Sequence, residues 1–218
     1  MNAYPRTRRL SLATATILAG ACFLGSVTIS AQEGVKETEQ FIKAGNNLSE
    51  AVAEAKQQVQ ATLGNYNDLL SLSATDMKDG YKKLLKNIKQ MNEKTETART
   101  RVTEMRATGD VYFAGRAATI KKIQDPALQG QAQQRLDASQ QSFAGVLGSL
   151  REARDSFDPL RKELADHVKY LESDLSPSGT ASLKPQAEQA KASAAVVFAK
   201  ADDAIRTANT YFTGLRAR

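Results

Sequence analysis

The sequence predicts an all-α protein, an elongated antiparallel up-down-up-down four-helix bundle or coiled coil, preceded by an N-terminal signal segment. Apolar residues recur seven apart along most of the 218 residues, as they do in long helices that pack lengthwise. The composition favours helix formers, and Trp is absent. Helix-capping residues followed by proline mark two of the boundaries between these periodic stretches.

Residues 1–31 are predicted to be a signal peptide or a membrane or lipid anchor. Three arginines among the first nine residues precede an uncharged apolar stretch. Three outcomes remain open: acylation of Cys22 within a lipobox-like Leu-Ala-Gly-Ala-Cys sequence, cleavage after Ala31, or retention of residues 10–29 as an anchor. All three predict export to the periplasm or cell envelope.

Residues 32–218 are predicted to form a single domain with helices over about 35–70, 76–124, 126–174 and 177–216. Asp125-Pro126 and Ser176-Pro177 each combine a capping side chain with a proline that suits the first helical position. We expect the third helix to continue past Pro159, because its heptad stays in phase there. Pro185 allows only a kinked or delayed start of the fourth helix.

The third helix has the clearest seam, by which we mean the row of apolar side chains that a helix turns toward its neighbours. Six large apolar residues lie seven apart along it: Leu136, Phe143, Leu150, Phe157, Leu164 and Leu171. Short connections predict antiparallel neighbours. Four such seams predict a dry centre without room for a reaction pocket. Because the second and third helices are the longest, their turn is predicted to overhang the start of the first helix by about 15 Å.

Charge and composition exclude several classes of protein. The chain has 30 basic and 24 acidic residues; without Arg6, Arg8 and Arg9 of the targeting segment, 27 basic residues remain, too small an excess to indicate nucleic-acid binding. One Cys and one His exclude a disulfide framework and a Cys/His zinc site. No cofactor is predicted.

His167 lies on the seam of the third helix, where a metal ligand and a structural core-edge residue are the competing interpretations. A di-metal bundle needs Glu-x-x-His on two helices, whereas Glu163 precedes His167 by four residues and no second His exists. The structural interpretation is therefore favoured, and no catalytic or metal-binding residue is predicted.

Lys82, Lys86 and Lys89 share one face of the second helix and form either a contact face for a polyanion or an ordinary solvated face. The predicted function is a non-enzymatic envelope spacer or adaptor, with an envelope protein or an anionic envelope polymer as partner. The alternatives are a curved bundle that binds lipid at a membrane surface and a metal-binding or enzymatic bundle.

Four segments resemble a bacterial family catalogued as domain of unknown function 2959, over about residues 35 to 216. They are Tyr112-Phe113, Ile123–Leu128, Arg151–Pro159 and Tyr170–Gly179. The resemblance implies an exported, mostly helical envelope protein, often lipoprotein-like, and no assigned activity.

Overall fold

A computed structural model describes residues 25–217 of the chain, with side chains from residue 34 onward. Within that range every regular element is helical, which confirms the all-α prediction. The helices are α1 (Gly25–Leu69), α2 (Met77–Ile120), α3 (Pro126–Ser173), α4 (Pro177–Ser182) and α5 (Lys184–Arg216). The predicted number of four helices is wrong for this range, because the last one is divided.

The two caps predicted before prolines both form, whereas the side chain of Asp76, which precedes α2, makes no capping hydrogen bond. The Asp125 carboxylate accepts hydrogen bonds from the backbone N–H groups of Ala127, at 2.8 Å, and Leu128, at 3.2 Å. The Ser176 hydroxyl accepts one from Gly179 at 3.1 Å. Each cap satisfies donors that have no partner within the first helical turn, and each fixes where a helix begins.

The two prolines near helix interiors have opposite effects. Pro185 has no N–H and its ring would collide with the carbonyl of Ala181, so α4 ends at Ser182 and α5 begins at Lys184. Pro159 creates the same defect, yet α3 continues through it, as predicted. The buried residues on either side of it, Phe157 and Leu160, hold α3 in register.

The four long helices pack side by side, each antiparallel to its neighbours. The smallest interface between neighbours is that of α2 and α3. Two contacts for each pair of helices show the direction. They are Glu54–Lys94 and Gln58–Asn87 for α1 and α2, Lys56–Asp202 and Ser49–Asn209 for α1 and α5, and Glu152–Lys200 and Ser139–Tyr211 for α3 and α5.

The apolar interior consists of two separate clusters. The aliphatic core lies near the α1–α2 turn and includes Val59, Leu69, Leu84, Met91, Leu160, Leu164, Leu171 and Ala190. The aromatic core lies near the opposite end and includes Phe41, Met105, Tyr112, Phe113, Phe143 and Phe212. All six predicted seam residues of α3 are buried, three in each core.

The predicted overhang is wrong. Helix α1 begins at Gly25, ten residues before the predicted start near Val35. Gly109 lies against Phe41, and Gly115 lies against Glu37. The end of α2 therefore lies opposite residues of α1 that precede Glu37, and α1 covers it.

Candidate functional site

The predicted polyanion face is exposed on α2. Lys82, Lys86 and Lys89 all point to solvent near the α1–α2 turn. Lys82 pairs with Asp79 at 2.9 Å, and Lys89 lies 3.8 Å from Glu93. Lys86 makes no ion pair with any residue that the structure describes. The face is therefore basic, but two of its three charges have an acidic neighbour on the same helix.

His167 packs against Tyr66 at the edge of the aliphatic core. Their ring centroids lie 5.5 Å apart and the rings are stacked. The Nδ1 atom of His167 and the hydroxyl of Tyr66 are both buried without a hydrogen-bond partner in the described part of the chain. Burial lowers the pKa of His167, although the nearby Glu163 and Asp166 oppose that shift. Burial also raises the pKa of Tyr66.

The surroundings of His167 do not form a metal centre in the part of the chain that the structure describes. Nowhere in that part do three His, Cys, Asp or Glu side chains come together in a way that could hold a metal ion. Cys22, the tentative lipid-attachment residue, lies outside the described residues, so its acylation stays a prediction.

The level between the two cores, which we term the waist, consists of residues 51–56, 94–102, 150–158 and 197–202. Four ion pairs join helices here, one for each pair of neighbours: Lys94–Glu54 at 2.7 Å, Lys56–Asp202 at 2.6 Å, Lys200–Glu152 at 2.6 Å and Arg99–Asp158 at 2.9 Å. All other ion pairs of the described residues lie within a single helix. Charge thus joins the helices where the apolar core is interrupted.

A cleft with a cavity volume of about 750 Å³ opens at the waist between α2 and α3. Each long helix contributes an alanine to its lining: Ala55, Ala98, Ala153 and Ala201. Alanine reaches less far toward a neighbouring helix than a large apolar residue, so the side chains at this level leave an open cleft between α2 and α3. The prediction that the seams leave no room for a pocket is therefore wrong at the waist, whereas the inward side chains of Phe157, Val197 and Ala201 remain buried there.

The lining of the cleft has two chemical parts. Its floor is apolar and includes Val52, Val59, Val102, Leu147, Leu150, Phe157 and Val197. Five basic side chains and one acidic side chain line it as well: Lys56, Arg99, Arg106, Arg151, Arg154 and Asp158. Such a combination of an apolar floor and a few convergent charged groups is typical of small-molecule sites.

A family model described as "Protein of unknown function (DUF2959)" matches residues 29–215. The chain belongs to this family. The matched region contains every residue that lines the cleft, and the family-like segment Arg151–Pro159 forms part of the α3 wall of the cleft. Curated proteins and solved structures give no match to the chain.

The other family-like segments have structural positions. Tyr112 and Phe113 belong to the aromatic core, and Asp125 and Ser176 cap helices. Among the residues that the structure describes, no helix combines the length and hydropathy needed to cross a bilayer.

The sequence alone predicts no role for Arg106 or Arg151, two basic residues that line the cleft. Both occupy exposed positions, where basic residues are common, and only Arg151 stands out locally, because it begins the family-like segment Arg151–Pro159. The signal that could have revealed the cleft lay in the seams, since each of the four long helices contributes an alanine to the lining of the cleft.

Proposed function

We propose that this member of the family is an exported, non-enzymatic protein of the cell envelope, whose four long helices form an up-down bundle that acts as a spacer or adaptor. The antiparallel contacts between neighbouring helices support the bundle. The targeting features of residues 1–31 support export. The proposed partner is an envelope protein or an anionic envelope polymer.

The observation that carries this proposal is the distance between the N-terminal segment and the basic face. Asn87 contacts Gln58 and Thr62, and Gly80 lies against Leu69, so the basic face of α2 lies level with the last part of α1. At 1.5 Å per residue, α1 separates its own start at Gly25 from that level by about 50–65 Å. An N-terminal anchor would hold the lysines well away from the membrane.

Binding to purified polymers tests the adaptor role. The full chain is titrated with lipopolysaccharide and with lipoteichoic acid, alongside a variant carrying Lys82→Glu, Lys86→Glu and Lys89→Glu. We expect wild-type binding that weakens with salt, and at least tenfold weaker binding by the variant.

A charge-matched control separates a specific face from net charge. The variant with Arg135→Glu, Lys162→Glu and Lys184→Glu reverses three exposed cations elsewhere on α3 and α5. It should bind nearly as well as the wild type. If both variants lost affinity equally, the binding would reflect net charge and not a specific face. If the wild type bound neither polymer, an anionic polymer would be excluded as the partner.

Mass spectrometry of the protein recovered from its native host tests export. An acylated Cys22, a free N-terminus at Gln32 and an intact leader have different masses. Each of the first two requires processing during export. Recovery of the unprocessed chain from the cytosolic fraction would contradict an envelope location.

A second candidate function, lipid binding at a membrane surface, is favoured by the basic side chains that line the waist cleft. Co-sedimentation of residues 32–218 with anionic and with neutral vesicles tests it, with circular dichroism to establish that this fragment is folded. Sedimentation with anionic vesicles but not with neutral ones would support binding at a membrane surface. Absence of sedimentation with both kinds of vesicle would exclude this function.

A further inference from the structure

Charge is unevenly distributed along the waist cleft. Part-way along it, the guanidinium of Arg99 bridges to Asp158 across the gap between α2 and α3 at 2.9 Å. Arg106 follows Arg99 by seven residues, and Arg151 precedes Asp158 by seven. In an antiparallel pair, these equal offsets place Arg106 and Arg151 level with each other, two helical turns from the bridge.

Arg106 and Arg151 have no ion pair with any described residue, and both are exposed. Of the other basic groups that line the cleft, Lys56 is neutralised by Asp202, Arg154 by Asp155 and Arg99 by Asp158. The free positive charge of the cleft is therefore concentrated at one end. Two facing guanidinium groups suit a carboxylate, because each can donate two parallel hydrogen bonds to it.

The floor of the cleft continues from these arginines beneath the Arg99–Asp158 bridge. The lining runs on α2 from Thr95 to Arg106 and on α3 from Leu147 to Asp158. Measured from the arginines, the lining continues for eleven residue steps on α2, from Arg106 to Thr95, or about 16 Å, and for seven steps on α3, from Arg151 to Asp158, or about 10 Å. With C–C bonds of about 1.5 Å, an extended chain of about ten to fourteen carbons has a similar length.

We propose that the waist cleft is a binding site for a fatty acid of about ten to fourteen carbons, with its carboxylate between Arg106 and Arg151 and its alkyl chain along the floor toward Phe157. Charge complementarity selects the anionic headgroup, and the apolar floor selects the chain. The buried Nε of Arg99, which has no hydrogen-bond partner among the described residues, lies within the same wall. The inference does not depend on the lysine face or on binding to a bilayer.

Calorimetric titration of the full chain with free fatty acids tests the site. Decanoate, dodecanoate and tetradecanoate are used at pH 8 and below the concentrations at which they form micelles. Each added methylene should increase affinity by about fourfold until the floor is filled. Dodecanol, which has the chain without the charge, should bind at least about tenfold more weakly than dodecanoate.

Two variants locate the binding. The double variant Arg106→Gln, Arg151→Gln should bind dodecanoate at least tenfold more weakly, and it should remain folded, because neither arginine pairs with another described residue. The variant Ala98→Leu fills the floor and should reduce affinity for tetradecanoate more than for decanoate. The control Arg135→Gln, Lys162→Gln removes two exposed charges outside the cleft and should bind as the wild type does.

Three results would overturn the proposal: equal affinity for dodecanoate and dodecanol, affinity that does not change with chain length, or equal losses in the arginine variant and its control. Binding of two-chain anionic vesicles without binding of free fatty acid would also overturn it, and would instead favour the membrane-surface function.

Discussion

The two cores and the waist hold the same four helices together by different means. In the aromatic core, Phe41 is fully buried, and its ring lies 5.0 to 6.0 Å from five other aromatic rings. At the waist, alanines face an open cleft, and partly exposed ion pairs join the neighbours. Exposed ion pairs contribute little to stability, whereas buried aromatic side chains contribute much.

The difference indicates a division of roles along the bundle. The two cores supply stability and fix the register of the helices on either side of the waist. At the waist, Val59, Leu150, Phe157 and Val197 stay buried, whereas Val52, Val102 and Leu147 are only half-buried on the floor of the cleft. This partly exposed apolar floor beside charged side chains is the feature on which the proposed fatty-acid site rests.

The largest effect is expected from opening the aromatic core. Phe41→Ala should lower the free energy of unfolding by about 3–5 kcal/mol, because it removes a ring that no neighbour can replace. Urea unfolding monitored by circular dichroism measures it. Val111→Ala, at a side chain 54% exposed, is the control and should change stability by less than about 0.5 kcal/mol. A loss for Phe41→Ala below about 1 kcal/mol would contradict a closed aromatic core.

Matched substitutions compare a core with the waist directly. Ala190 is fully buried in the aliphatic core, and Ala190→Leu should lower stability by about 1–3 kcal/mol through overpacking. Ala98 faces the cleft, so Ala98→Leu should leave stability unchanged or raise it by up to about 1 kcal/mol as its methyl groups cover apolar surface. Thermal and urea unfolding of both variants provide the measurement, and equal destabilisation would mean that the cleft is not open.

Much of the fold follows from the sequence because heptad spacing and caps act locally. Leu136 to Leu171 were assigned to the interior from spacing alone, and all six predicted residues are buried. Asp125 and Ser176 were assigned as caps from their position before proline, and both accept the expected hydrogen bonds. These features depend on a few neighbouring residues, which a single sequence contains.

The cleft could not be read in the same way, because it depends on register between helices distant in sequence. Ala55, Ala98, Ala153 and Ala201 each fit a seam, since alanine packs well against a large partner. Only the register between the helices brings the four alanines together in the lining of one cleft. The early start of α1 was missed for a related reason, since packing decides how far a marginal helix extends. The division of the fourth helix has a local cause in Pro185, where the sequence predicts a kinked or delayed start rather than two helices.

The ion pairs of the waist should have a smaller effect that depends on salt. Lys56→Met removes the partner of Asp202 and should lower stability by about 1 kcal/mol or less in dilute buffer. The difference should shrink at about 1 M salt, where charges are screened within about 3 Å. Urea unfolding at both salt concentrations measures it. Lys191→Met, which removes a pair within α5, is the control, and an effect of Lys56→Met that persists at high salt would indicate packing on Phe198 instead.

The smallest expected effect is a dependence of stability on pH that comes from His167, at the edge of the aliphatic core, and not from the waist. Burial lowers the pKa of His167 below its ordinary value of 6.5, so the unfolded chain takes up a proton first as pH falls. Stability should therefore decrease as pH falls from about 6.5 toward the lowered pKa, and it should be flat between pH 7 and pH 8. His167→Gln should remove this dependence, while Lys56→Met should retain it, because Lys56 lies at the waist and does not contact His167. Urea unfolding between pH 5 and pH 8 measures the three proteins, and an identical slope in His167→Gln would assign the dependence to another group.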